Sequence, residues 1–416
     1  MTAERNRGTA PDTLGYDPRD PEALRNPYPD YQRLREGCPV AYSTGLNAHV
    51  VSRADDVRNI CKQAQLFSNE GTIDAGFGDV RILVLADDPL HRRQRSLVTV
   101  AFTPGRVAQL EPYIEALADR LIDGFIADGH CDLVARFAIM IPATVISKML
   151  GVDVNDLDKF KRWADAGMRA AAYGGEHLEA AMVSALEFAE YITAAAAERK
   201  PEIERGQPRD DLLTGLLTAE IDGERLTNEE LFFVCWQLLT AGHETTTSLI
   251  SSCVWLLSEH PEQKAKLLAD PNLTEQTIEE VLRFEGPAQA MPRRVKQDTD
   301  FVGTQLKAGE LVTVLFGSAN RDASAWEDPE RFDITRPLHD SRRKQLAFGF
   351  GSHTCMGANL ARLEGRVALR RLLARIPDIE VDRARAHENK RQLTHFTRGW
   401  EHLRVKWVPQ QPSSAS

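Results

Sequence analysis

Residues 348–357 read Phe348-Gly349-Phe350-Gly351-Ser352-His353-Thr354-Cys355-Met356-Gly357. One cysteine closes a glycine-rich loop, and a helix is expected directly after it, from about Ala358 to Ala374. Glycines let backbone bend tightly and approach a flat ligand closely. The helix start beyond Cys355 offers N–H groups and a positive dipole end. Both favour a thiolate, and a thiolate in a tight loop suits a single axial metal ligand. The ordinary fate of an isolated cysteine is inert packing, so the flanking residues have to decide.

Working outward, the best-marked helix begins at Thr227. Thr227 and Glu230 form a capping box, and Pro261 marks the other end. This predicts a helix of about 32 residues, roughly 48 Å long. Stretches such as Leu231-Phe232-Phe233-Val234-Cys235-Trp236 make it apolar on nearly all sides, so it should cross the middle of the molecule. At its centre stands Ala241-Gly242-His243-Glu244-Thr245-Thr246. An acid and several hydroxyls are costly there unless partnered. The Thr245 hydroxyl can compete for the Ala241 carbonyl and bend the helix. Residue chemistry alone leaves a structural kink and a functional groove equally open, and gives His243 only a packing or solvent-side place.

Further helices are expected over residues 109–127 and 179–199, with a loop over 199–211. A β-branched run lies in 41–52. Residues 300–317 read as a hairpin turning at Lys307-Ala308-Gly309 and returning over Leu311 to Phe316. Helices dominate, which argues against a doubly wound α/β fold. Glu280 and Arg283 share a helix face, and such a pair is ordinarily a surface feature of little weight. His91 and Arg95 lie one helical turn apart, and Arg293 follows the Pro287 loop.

The cysteine loop resembles the haem-ligand loop of the cytochrome P450 superfamily, Phe-x-x-Gly-x-x-x-Cys-x-Gly, matched by Phe348, Gly351, Cys355 and Gly357. The central helix segment is similar to that family's acid–alcohol motif, and Glu280-x-x-Arg283 to its Glu-x-x-Arg motif. The resemblance implies a mainly α fold with small β-sheets, with haem b between the long helix and the cysteine loop. Cys355 would ligate the iron and help cleave the O–O bond of dioxygen. Phe348 and Gly349 would pack beside the cofactor, as would Gly357 and Ala241. His91, Arg95, Arg293 and His353 would hold its propionates. Thr245 would stabilise bound oxygen and Glu244 would relay protons. A further arginine, Arg336 in preference to Arg331, would complete a structural triad with Glu280 and Arg283. Gln237, Thr240, Ala241, Gln289, Ala290, Met291 and Phe396 would line an apolar substrate pocket, with lids over 67–88 and 166–176. The two glutamines hint at a substrate with a hydrogen-bonding group. Gln345 departs from the family, where histidine is frequent.

The activity implied is a monooxygenase acting on a small hydrophobic molecule. No flavin or iron–sulfur segment is visible, so electrons from NAD(P)H would arrive through a ferredoxin and its reductase. Arg92, Arg93, Arg342, Arg343, Lys344 and Arg362 would form a basic docking face. Competing readings are a peroxide-driven relative, against which the Glu244–Thr245 pair counts, and a non-catalytic haem sensor or carrier. A Cys355–His353 hydrolase ranks last, for want of an orienting acid.

Bulk properties agree with one haem domain over residues 1–409, with a polar extension over 1–20 and a disordered tail over 410–416. The 416 residues carry 51 basic and 61 acidic side chains, a net −10, which speaks against nucleic-acid binding. Six scattered cysteines read as a reducing, cytoplasmic setting. The N-terminal segment and the absence of an 18-residue apolar run suggest no signal peptide and no membrane anchor. A monomer suffices.

Overall fold

Thr227 Oγ1 accepts the Glu230 N–H at 3.1 Å, and Glu230 Oε2 accepts the Thr227 N–H at 3.0 Å, so both halves of the capping box form. The helix they start runs Asn228–Glu259 and stops two residues before Pro261. In the computed structural model, which describes residues 14–73, 80–220 and 223–412, it crosses the main hydrophobic core. Its hydroxyls bond back to the preceding turn. Thr240 donates to the Trp236 carbonyl at 2.9 Å, Thr247 to His243 at 2.8 Å and Ser251 to Thr247 at 2.8 Å. Three of the six buried hydroxyls on this helix are thereby satisfied internally.

Seven helices position the site: α1 (Leu90–Thr99), α2 (Glu111–Asp123), α3 (Leu157–Tyr173), α4 (His177–Glu204), α5 (Asn228–Glu259), α6 (Thr274–Glu285) and α7 (Ala358–Arg375). Gly365 lets α7 meet α5 and α6 closely, since a Cβ there would stand 3.1 Å from Leu249 Cδ2 and 3.2 Å from Ile278 Cδ1. Beyond this contact α7 is joined to α2 by a ladder of ion pairs at helical spacing: Arg366 with Glu111, Arg370 with Glu115, Arg371 with Asp119 and Arg375 with Asp123. Each partly exposed pair is worth little, but four in register fix how the two helices face each other. On the other side α3 lies across α5. A Cβ on Gly167 would stand 2.8 Å from the Trp236 ring. The α4 helix is the one described helix long and apolar enough to cross a membrane. Its Phe188 stacks against Trp163 of α3 and Trp236 of α5, with ring centroids at 5.4 and 5.6 Å.

The largest sheet has five strands in the order β1-β2-β7-β4-β3. These are β1 (Val40–Ser43), β2 (Ala48–Val51), β3 (Phe67–Ser68), β4 (Ala290–Val295) and β7 (Leu311–Leu315). The β-branched run expected over 41–52 is an antiparallel hairpin, Val40 opposite Val51. The hairpin expected over 300–317 is corrected. β5 (Thr299–Phe301) and β6 (Thr304–Leu306) pair across a tight turn at Val302-Gly303. β7 instead joins the large sheet, parallel to β2 and antiparallel to β4. The Val302-Gly303 pair, both at positive φ, makes the tighter turn. β8 (Lys390–Leu393) and β9 (Arg398–His402) form a C-terminal hairpin.

Other boundaries move for physical reasons. The helix expected over 109–127 is α2, ending at Asp123. The loop expected from Arg199 starts only after Glu204, because Arg199 is buried. Its guanidinium bonds Asp211 at 2.9 Å and the Gly151 carbonyl at 2.6 Å, holding the last turns of α4 down. Of the lid over 166–176, residues through Tyr173 belong to α3. Of the polar extension over 1–20, Tyr16 is buried beside Tyr31. Of the disordered tail, Gln410 donates to the Ile126 carbonyl. Residues 1–13, 74–79 and 413–416 of these segments lie outside the described residues.

Candidate functional site

Gly349 and Gly351 take φ of 70° and 78°, and a Cβ on Gly351 would stand 2.5 Å from the Cys61 carbonyl oxygen. Only glycine fits there, so the loop can fold back until the Cys355 N–H reaches the Phe348 carbonyl at 2.9 Å. The N–H groups of Gly357 and Ala358, at the start of α7, hydrogen-bond the cysteine sulfur. Phe348 lies under the Arg362 guanidinium, 4.5 Å from the ring centre. Burial pushes the Cys355 thiol up, and the two backbone N–H groups, Arg95 and Arg362 only oppose this. A cation on the sulfur would tip it to thiolate.

On α5, Thr245 Oγ1 donates to the Ala241 carbonyl at 2.8 Å, as the sequence predicts, although the helix stays continuous. Ala241 is exposed in the middle of this helix, while Leu239, Thr240 and His243 around it are buried. A notch therefore opens in an otherwise apolar wall. Thr246 hydrogen-bonds Glu364 of α7, so the notch and the cysteine are carried by the same pair of packed helices. Glu244 Oε2 is inaccessible and has no hydrogen-bond partner among the described residues. Burial, then Asp165 and Glu401, push its carboxyl up to about 8, against the pull of Arg169. His243 is buried, with neither ring nitrogen partnered. Burial and Lys161 hold it down at about 4. It has the packing place, not the solvent-side one.

Two histidines and two arginines converge beside the cysteine loop. The His91 and His353 rings stack at 3.9 Å, and Arg95 donates to the Thr354 carbonyl at 2.6 Å. Arg293 is buried, with Nη1 on the neighbouring Pro292 carbonyl and its guanidinium also against the Cys61 thiol. Burial, then His91 and Arg293, depress His353 to about 3. His91, Arg95 and Arg293 are also lowered, burial being the largest cause for each. Carboxylates of a bound group would reverse every one of these shifts. Among the described residues no three His, Cys, Asp or Glu side chains gather as a metal site. A metal held by Cys355 must therefore bring its other ligands with it. The donor set fits a haem with its propionates.

Two of the residues expected to line the substrate pocket turn elsewhere. Gln289 is buried against Gly317, where a Cβ would stand 2.1 Å from its Oε1. Its amide donates to the Gly286 carbonyl at 2.7 Å and accepts from Tyr31. Ala290 packs into a separate cluster with Tyr31 and Leu34. Strand alternation explains this, since Met291 then points the other way, against the cluster holding Phe316 and Phe350. Gln237 faces the notch side, but its amide holds the lid segment, donating to Ile82 O at 3.0 Å and accepting from the Val84 N–H at 3.4 Å. Phe396 sits at the hairpin tip, its carbonyl accepting from the Gln289 and Ala290 N–H groups.

The Glu280–Arg283 pair is fully buried, not a surface feature. Arg283 makes two 2.7 Å bonds to Glu280 and also reaches the carbonyls of Asn320, Pro329 and Arg331. Arg336 completes the triad at 3.3 Å, whereas the Arg331 side chain pairs with Asp333. The basic face is more neutralised than its sequence suggests. Arg342 and Arg362 both bond buried Glu279, Arg343 lies 3.9 Å from Asp340, Arg92 pairs with Asp88, and Arg93 with Glu230. Gln345 joins the same hub, donating to Glu279.

Sequence reasoning missed Glu364, buried in α7, whose carboxyl is pushed up to about 8 by burial against the Thr246 hydrogen bond. Its place between Leu360, Leu363 and Val367 on the apolar face was the available signal. It also missed Asp165 and Glu401, which lie far from Glu244 in sequence.

A family model described as Cytochrome P450 matches residues 154–393. Cytochrome P450 107B1 of Saccharopolyspora erythraea is 36% identical over 417 residues, covering 96% of this chain and 98% of that protein. Steroid C26-monooxygenase of Mycobacterium tuberculosis is 37% identical over 355 residues, 84% of this chain and 92% of that one. The solved structure of cytochrome P450 CYP109Q5 from Chondromyces apiculatus superposes with a TM-score of 0.84 at 37% identity, over 95% of this chain and 99% of that one. The similarity spans nearly the whole chain in sequence and in shape: the chain belongs to the cytochrome P450 family, as a bacterial-type haem-thiolate monooxygenase that uses haem b and electrons from redox partners.

Proposed function

We propose that Cys355 Sγ would hold the haem iron, and that His91, Arg95, Arg293 and His353 would take its propionates. When bound, haem supplies the dioxygen activation by which one oxygen atom is inserted into a substrate. The observation that carries the assignment is the pair of N–H groups, Gly357 and Ala358, aimed at the Cys355 sulfur at the start of α7. Thr245 and Glu244 are the proton-handling pair. With its carboxyl near 8, Glu244 is largely protonated at neutral pH and can donate. That pair also favours a dioxygen-dependent enzyme over a peroxide-driven one.

The substrate is a small hydrophobic molecule gripped by shape more than by hydrogen bonds. Ala241, Met291 and Phe396 give it apolar surface. Thr240 and Gln237 direct their polar atoms at protein backbone. A ferredoxin docks near the cysteine loop. Lys344 and Lys62, which lie over the Trp326 and Phe350 rings, carry more of the attraction than the paired arginines. A reducing cytoplasm suits six cysteines that form no disulfide.

The test is the absorption spectrum of the dithionite-reduced protein under carbon monoxide. The assignment requires a strongly red-shifted Soret band that is lost in Cys355→Ser. A histidine-type band in the intact wild-type protein refutes it.

A further inference from the structure

Exposed large apolar side chains are ordinary when they stand singly, as Leu268, Val302 and Val408 do along this chain. The outer face of α4 is different. There Met182, Val183 and Leu186 are 49%, 53% and 66% exposed. Phe188 and Ile192, on the inner face, pack into the main core, yet only a third of the helix's most apolar stretch is buried. Apolar surface is left over after folding, and keeping it in water is unfavourable.

The residues that continue this face are ordered for one kind of partner. Glu179, Met182, Leu186, Thr193, Ala197 and Lys200 are all exposed. Their spacings are three, four, seven, four and three residues. Such spacings keep them on one stripe of a helix with 3.6 residues per turn, and they read the same in both directions. Two such stripes laid antiparallel therefore match position for position. Glu179 falls opposite Lys200 at both ends, Met182 opposite Ala197 and Leu186 opposite Thr193. Opposite charges meet at the rim, and each large apolar side chain meets a small one, which lets two helices pack closely. The matched stretch is about 30 Å long. Of the other charges along it, Glu187 pairs with Arg162 and Glu198 with Arg209. Glu190 opposes the match, since it lies beside the two-fold axis and next to its own copy.

We propose that the outer face of α4 is a self-association surface, whose partner is α4 of a second copy of this chain, antiparallel about a two-fold axis between Ala189 and Glu190. The same patch serves both copies, so the assembly closes at two. A lipid surface fits less well. Residues 179–200 expose four glutamates and one lysine, whereas helices that lie on membranes carry lysine and arginine along their polar face.

Sedimentation equilibrium of the intact holoprotein tests this. Wild type should interconvert between monomer and dimer in the micromolar range, the strength of a small interface. Leu186→Arg should weaken the dimer by more than about tenfold. Glu179→Lys should weaken it by about tenfold, because each new lysine then faces Lys200 of the other copy. Glu179→Lys combined with Lys200→Glu should restore it, which a merely apolar contact would not do. Glu190→Gln should tighten it by about threefold, by removing the like charges at the axis. All these positions are exposed, and the reduced carbon monoxide spectrum of each variant should match wild type, showing an intact haem domain. A wild-type protein that stays monomeric at high micromolar concentration overturns the proposal. So does a dimer that is indifferent to Leu186→Arg, or one that the charge exchange fails to restore. Co-sedimentation of wild type with vesicles of phosphatidylcholine and phosphatidylglycerol, lost in Leu186→Arg, would give the face to lipid and overturn it too.

Discussion

Replacing Glu285 with glutamine should be among the most damaging single changes outside the haem site. Glu285 ends α6 and is 1% exposed. It accepts from Arg398 Nε and Arg391 Nη1, both at 2.7 Å, and from the Tyr28 hydroxyl at 2.8 Å. Burial works to raise its carboxyl, yet Arg398, Arg391 and Arg321 overcome that and hold it at about 2. Held that far below its ordinary 4.5, the carboxylate contributes about 3 kcal/mol of stabilisation at neutral pH. Glu285→Gln removes this and strands two buried guanidiniums, so the expected loss is about 3–5 kcal/mol. Because the folded pKa lies below the unfolded one, the stabilisation is complete above pH 4.5 and is lost as pH falls toward 2. Urea unfolding followed by circular dichroism should show a wide gap between the two proteins at pH 7 that narrows below pH 4.5. Arg391 and Arg398 lie on β8 and β9, so the Phe396 tip between those strands should loosen as well, with weaker substrate-induced spin-state shifts. A loss under about 1 kcal/mol at pH 7, or a gap that persists unchanged to pH 3, would refute the reasoning.

His243→Leu should stabilise the protein by about 1–2 kcal/mol at pH 6, because it removes two unpartnered buried nitrogens. The folded pKa of His243, about 4, lies below its ordinary 6.5, so wild type loses stability as pH falls from 6.5 toward 4 and the variant should lose less. A lower melting temperature for the variant at pH 6 would sink this account. Gln237→Leu should free the 82–84 segment, raising amide exchange at Val84 by about tenfold for the roughly 1.4 kcal/mol in its two bonds. Unchanged exchange at Val84 would mean that Gln94, which accepts from the Leu83 N–H at 2.8 Å, holds the segment by itself.

The parts of the fold that could be read in the sequence are those governed by local rules. The capping box at Thr227, the stop before Pro261 and the glycine-dependent turn before Cys355 each depend on a few neighbouring residues, and each forms where expected. The Thr245 hydroxyl bond to Ala241 is local too. What failed depends on partners distant in sequence. Lys307-Ala308-Gly309 looks like a hairpin turn, but β7 pairs with β2, some 260 residues earlier. Gln289 and Ala290 were expected at the pocket because the motif brings Arg293 there. Strand alternation and the N-terminal Tyr31 instead draw both into another cluster. The arginines around the cysteine loop looked free because Glu279, which neutralises two of them, belongs to α6.

These misses share a cause that bears on the function. Among the described residues, the large charge clusters outside the site are internally paired. The Glu111–Arg366 ladder, the Glu280–Arg283–Arg336 triad and the Arg391–Glu285–Arg398 group leave few buried ions exposed to loss. Against that background the unmatched groups stand together. Among the described residues Glu244 Oε2 has no hydrogen-bond partner, Glu364 has the Thr246 hydroxyl, and Arg95, Arg293 and His353 are depressed by burial with no carboxylate bonded to them. Leaving such groups buried is costly, and here all of them border one notch and one thiol. The cationic ones suit an anionic cofactor, which would recover their cost on binding. The carboxyls do not, since an anion nearby would only raise them further. A buried acid with a pKa near neutrality can hold a proton where water is excluded, which is the role proposed for Glu244.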